Sequence, residues 1–96
     1  MSTLHIVNAP DVLDQVSGIA SAGDAILLIE NGVYAASVSN GNSHALASAP
    51  PDLSYFVLKE DLAARALFAP LQEFTPVSYA DFVELVCLHN NSINWS

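Results

Sequence analysis

GDAILLIENG, residues 23–32, decides the fold. Ala25 to Ile29 is apolar without alternation, so neither face of this segment is meant for water. A run of this kind reads as a central strand covered on both sides, the pattern of a parallel sheet. Glu30-Asn31-Gly32 breaks it, and Gly23 suits a left-handed cap on a helix that precedes it.

Upstream, Asp11 to Ala22 sets Val12, Leu13, Val16, Ile19 and Ala20 on one helical face. Before that, Leu4-His5-Ile6-Val7 reads as a strand ended by Asn8-Ala9-Pro10. Downstream, VYAASVS (33–39) reads either as a short helix or as an extended segment that would add a fifth strand near 33–38. Asn40-Gly41-Asn42 signals a turn, and SHALASAPP (43–51) allows at most a brief helix. Leu53 to Leu58 is a strand rich in β formers, followed by a helix in LKEDLAARAL (58–67). Phe74 to Ser78 is a fourth strand, and Pro76 assigns it to a sheet edge or a strand start. Ser78 then caps a last helix through YADFVELVCLH, with Asp81 completing a capping box. The tail NNSINWS (90–96) is polar except for Ile93 and Trp95.

Strand and helix therefore alternate, which predicts a small α/β domain of three layers. Its mostly parallel sheet has about four to five strands, flanked on both faces by the helices of right-handed crossovers. At 96 residues the expectation is one domain over 1–96.

Composition narrows the function. Apolar residues make up 52% of the chain and charged ones 12%, about half the usual ~25%. So little charge on so small a body predicts apolar surface that faces another protein. The net charge is −8, with two cations against ten carboxylates. Two cations cannot displace the counterions of a phosphate backbone, so direct binding of nucleic acid is excluded, and an anionic membrane surface is disfavoured. No apolar run approaches the ~20 residues of a membrane helix, and MSTLHIVNAP is not a signal peptide. One cysteine, Cys87, permits no intrachain disulfide and fits a cytoplasmic location.

Motifs for most chemistries are missing. There is no G-x-G-x-x-G, no P-loop and no C-x-x-C. His5, His44 and His89 lack the spacing of a metal site, and His5 reads as a structural side chain within a strand. No catalytic residue, cofactor site or metal site is expected. Cys87 is the one candidate for a reactive thiol. An activated cysteine favours a helix N-terminus or neighbouring cations, whereas Cys87 lies late in the last helix, so a packed and inert thiol is expected.

Both cations, Lys59 and Arg65, fall in LKEDLAARAL. Glu60 and Asp61 near the helix start and Arg65 one turn on suit the helix dipole. Asp61 and Arg65 can also pair at i, i+4 for about 0.2–0.5 kcal/mol. In an open α/β sheet, ligands and partners meet the carboxyl ends of the strands. Those ends supply a polar rim, and Glu30, Asn31, Gly32, Tyr34, Lys59, Glu60, Asp61 and Arg65 are the candidate interface residues there. On the last helix a wheel assigns Tyr79, Phe82, Val83 and Val86 to the inward stripe. Leu85 and Leu88 fall off it, adding a second candidate contact.

Taken together, GDAILLIENGVYAA (23–36), LKEDLAARAL (58–67) and YADFVELVCLHN (79–90), with Trp95 near the end, resemble the TusB/DsrH family. The matching features are the Gly-Asp and apolar run before Gly32-Val33, the E-D-L-x-A-R motif at Glu60, Asp61, Leu62, Ala64 and Arg65, and Tyr79, Phe82 and Val83. Ala66 stands where that motif usually has glycine. The resemblance implies a DsrE-like fold and a place in a heterohexameric sulfurtransferase complex with related TusC-like and TusD-like subunits. Such a complex relays persulfide sulfur towards 2-thiolation of the tRNA wobble uridine, with the sulfur-carrying cysteine on the TusD subunit. DsrH-type members of the family, from DsrEFH sulfur-oxidation complexes, typically carry a cysteine in the first helix. DVLDQVSGIASA (11–22) has none, which favours the TusB type. The alternatives left open are a DsrH-like carrier that uses Cys87, and a free-standing homo-oligomeric binding module; self-association of the isolated chain is left open as well.

Overall fold

The computed structural model describes residues 2–36, 52–67, 70 and 73–95. The possible strand at 33–38 lies partly outside these residues, as do the turn at 40–42 and the brief helix at 43–51. The first strand, β1, is Thr3–Val7. A 3-10 turn, Pro10–Val12, leads into α1, Leu13–Ile19. Strand β2 is Ala25–Leu28, and a second 3-10 segment, Glu30–Ala36, follows it. Then come β3, Ser54–Leu58, and α2, Lys59–Ala64, directly after it. Strand β4 is Thr75–Val77, α3 is Tyr79–Leu88 and β5 is Asn91–Trp95.

The five strands form one sheet in the order β4-β3-β2-β1-β5, and every neighbouring pair is parallel. AILLI behaves as its composition requires. β2 is the middle strand, and Ile26, Leu27 and Leu28 are completely buried. Ile26 and Leu28 belong to a core shared with α1, the Glu30–Ala36 segment and α2, through Leu13, Val16, Val33 and Leu62. Ala25 and Leu27 belong to a separate core on the other face, with Leu4, Ile6 and Val77, against which Phe82 and Leu85 pack.

The division of helices between the faces follows from handedness. The steps β1 to β2, β2 to β3 and β3 to β4 all move the same way across the sheet. Right-handed crossovers therefore place their connections on one face. The step β4 to β5 goes back past three strands, which puts α3 on the opposite face. In this fold α3 is the only described helix in its layer, so one side of it packs on the sheet and the other side faces out.

Several expectations need correction. The first helix is shorter than 11–22, and Ile19, placed on its inward face, is 61% exposed because the helix ends there. Ala20 is already extended, and Gly23, with φ +89, serves the turn into β2 rather than the helix cap. Residues 33–36 are 3-10 helix, so the fifth strand of the described sheet is not among them. It is the polar tail, which pairs with β1 over Thr3↔Asn91 to Val7↔Trp95. Pro76 does lie on an edge strand, and the Ser78–Asp81 capping box is present in both directions, at 3.1 and 3.2 Å.

Candidate functional site

The carboxyl ends of β2 and β3 come together as the sequence suggests. Gly32 lies against the end of β1. A Cβ built there would sit 2.2 Å from the Val7 carbonyl oxygen and 2.9 Å from its carbon, so only glycine fits. The Ile29 amide donates to Val7 O at 2.9 Å, and the Gly32 amide donates to Ile29 O at 2.8 Å. Between them Glu30 takes a left-handed conformation, φ +50, and its amide donates to Asp61 Oδ2 at 2.6 Å. A carboxylate on α2 thus holds the turn after β2 in shape.

Arg65 closes the same junction. Its Nε donates to Asn31 Oδ1 at 3.1 Å and its Nη1 to the Asp61 carbonyl at 3.2 Å, with the Asp61 carboxylate 3.8 Å away. Glu30, Asn31, Gly32, Asp61 and Arg65 are therefore one locked cluster. The bonds of Arg65 are internal, which accounts for one of the two cations in structural terms. Lys59 is exposed, with no ion pair among the described residues, and Tyr34 is exposed on the adjoining 3-10 segment. Glu60 Oε1 is shielded and has no hydrogen-bond partner among the described residues.

Leu85 and Leu88 lie away from this rim, on α3. The predicted stripe is rotated. Phe82 and Leu85 face the sheet, while Tyr79, Val83 and Val86 are exposed, Val83 by 64%. Leu85 is thus a packing residue and not an outward one, and Leu88 is 75% exposed as expected. A helix apolar around most of its girth gives the wheel little to choose between, and the sheet makes the choice. Cys87 is exposed, contrary to the packed thiol expected. With Val83, Glu84 and Leu88 it lines a shallow depression of about 270 Å³.

One cluster went unread. Asp24, buried before β2, accepts from the Thr3 amide through Oδ1 at 2.9 Å. Its Oδ2 accepts from the Ser21 amide at 2.9 Å and lies 3.0 Å from His5 Nε2. The Trp95 indole N–H donates to His5 Nδ1 at 3.1 Å. An indole can only donate, so Nδ1 must accept and the ring proton sits on Nε2, directed at Asp24. His5 is thus neutral and structural, and it ties β1 to both β2 and β5. Burial pushes the Asp24 carboxyl up, but the Ser21 amide, the His5 ring and the Thr3 amide outweigh it and hold the group below its ordinary value. Asp24 before AILLI and a lone tryptophan in a polar tail were the available signals.

Among the described residues no group of three or more His, Cys, Asp or Glu could hold a metal ion, and no helix is long and apolar enough to cross a membrane. The family described as DsrH like protein matches residues 9–92, a span that takes in the rim, α2, α3 and most of the sheet. The chain belongs to the DsrH-like family. It is 38% identical over 84 residues to Protein TusB of Erwinia tasmaniensis, covering 86% of each chain. Identity to Protein TusB of Shigella flexneri is 37% over 78 residues, and to that of Escherichia coli O9:H4 it is 36% over 78, covering 80% of each chain. Ala66 adopts φ +56, a conformation glycine takes without strain.

Proposed function

We propose that this chain is a non-catalytic subunit of a cytoplasmic TusBCD-type sulfur-relay complex. As a single DsrE-like domain it holds related TusC-like and TusD-like subunits in place while they pass persulfide sulfur towards 2-thiolation of the tRNA wobble uridine. The observation that carries this reading is the kinship with proteins named TusB together with a first helix, Leu13–Ile19, that contains no sulfur nucleophile. A net charge of −8 supports it from another side, since the basic surface that tRNA requires must come from another protein. The outer side of α3, with Tyr79, Val83, Val86 and Leu88, and the rim with Lys59 and Tyr34, are the surfaces offered to partners.

The test is recovery of the tagged chain, at its natural level, from its own cells. Two small relatives of the same fold should accompany it, and the cysteine persulfide should be on one of them. Recovery of the chain without any relative would refute the proposal.

The exposure of Cys87 favours a second reading, a DsrH-like subunit of a DsrEFH-type complex that carries sulfur on this thiol. Persulfide labelling after exposure to a sulfur donor separates the two. Rapid sulfuration of Cys87 that can be passed on selects the second reading, and labelling confined to a partner cysteine selects the first.

A further inference from the structure

The two edges of the sheet are not alike. Strand β4 has three residues, one of them Pro76, which has no N–H to offer. Strand β5 has five residues, with no proline and no charge, and Asn91 to Asn94 are exposed. Which of its backbone groups are free follows from the bonds to β1. The Asn91 amide donates inward to Ser2 O at 3.3 Å, and the Trp95 carbonyl accepts inward from the Asn8 amide at 3.1 Å. Along a strand the N–H and C=O of one residue point to one side and those of the next to the other. Asn91, Ile93 and Trp95 are therefore satisfied by β1, and Ser92 and Asn94 present both groups outward.

We infer that β5 is a homotypic docking edge, at which the β5 of a second copy of this chain pairs antiparallel about a two-fold axis through Ile93. In that register Ser92 lies opposite Asn94 of the second copy, and each such pair exchanges two backbone hydrogen bonds. Ile93 lies opposite its own counterpart in the close, non-hydrogen-bonded position, where Cα atoms are ~4.5 Å apart. Ile93 is 43% exposed, so the contact covers apolar surface now facing water. Charge selects a second copy as occupant. Two chains of −8 repel over most of their surface, yet the chain has no Asp or Glu after Glu84, and none lies in β1 beside β5. The β5 edge is the neutral strip along which like can meet like. This contact is independent of the sulfur-relay reading and would stand if that reading fell.

The experiment is sedimentation equilibrium of the purified full chain, up to about 1 mM, the dissociation constant of a weak contact near −4.1 kcal/mol. A reversible monomer–dimer equilibrium is expected. Asn94→Pro removes an outward N–H and none of the bonds to β1, so it should weaken dimerisation at least tenfold with the circular dichroism spectrum kept. Register is tested by single cysteines at 92, 93 and 94 in a Cys87→Ser background. Under mild oxidation only Ile93→Cys should cross-link to itself. A monomer at every concentration, a dimer undisturbed by Asn94→Pro, or equal cross-linking at all three positions would each overturn the inference. So would an edge occupied only by a related subunit.

Discussion

Replacing Asp24 by Asn tests whether the carboxylate joins the N-terminal strand to the rest of the sheet. The carboxylate receives three donors, two on Oδ2 and one on Oδ1. An asparagine has one oxygen. If that oxygen takes the Oδ2 position, its NH₂ faces the Thr3 amide. If it takes the Oδ1 position, its NH₂ faces the Ser21 amide and the His5 ring. His5 cannot adapt by moving its proton, because Nδ1 must stay open to the Trp95 indole. At least one buried donor is stranded either way, and a bond to a charged acceptor is lost. The expected cost is about 1.5–3 kcal/mol, measured by urea unfolding at neutral pH. Dependence on pH adds a second signature. The folded Asp24 carboxyl is held below its ordinary value, so its contribution is present in full above the ordinary carboxylate range and is lost as pH falls through the lowered value. The gap between wild type and Asp24→Asn should therefore close below about pH 4. A loss under ~0.5 kcal/mol, or a gap that persists unchanged into acid, would refute the reasoning.

Further outcomes follow from other positions. Gly32→Ala drives a methyl into the Val7 carbonyl, and because the obstacle is backbone the destabilisation should exceed about 3 kcal/mol or leave the chain unfolded; near-neutral stability would show that the β1–β2 junction yields. Ala66→Gly relieves a left-handed alanine and should raise stability by about 0.5–1 kcal/mol in thermal unfolding, and a loss would contradict it. Burial, and after it the charge of Glu73, push the Tyr55 phenol above its ordinary value. Ultraviolet titration of Glu73→Gln should bring the Tyr55 transition down part of the way, while no movement would exclude the carboxylate. That raised value also means the neutral phenol favours the folded state, an advantage lost as pH rises past about 10.

The fold was legible wherever burial left a one-sided signal. AILLI pointed to a central parallel strand because a strand covered on both faces carries an apolar run without alternation, and four of its five residues form β2. Pro76 marked its edge through a missing donor, and Ser78 and Asp81 marked a helix start. The fifth strand was hidden because β5 is an edge strand exposed along most of its length, so NNSINWS has no apolar pattern to show. The orientation of α3 was hidden for the opposite reason, since apolar residues take up most of its girth. Of the rim residues, Glu30, Asn31, Gly32, Asp61 and Arg65 were readable as neighbours, because strand ends in a parallel sheet share one side. That Asp61 holds the Glu30 amide, and that Trp95 reaches His5 across the sheet, depends on pairings between segments 31 and 90 residues apart, which local patterns do not encode.

The most direct measurement is the 2-thiouridine content of tRNA in cells whose own copy of this chain is replaced by Cys87→Ser. A subunit that works through contact alone keeps thiolation at the wild-type level without its sulfur, while removal of the whole chain abolishes it. Loss of thiolation in Cys87→Ser to the level of the deletion, with the complex still assembled, would contradict the account.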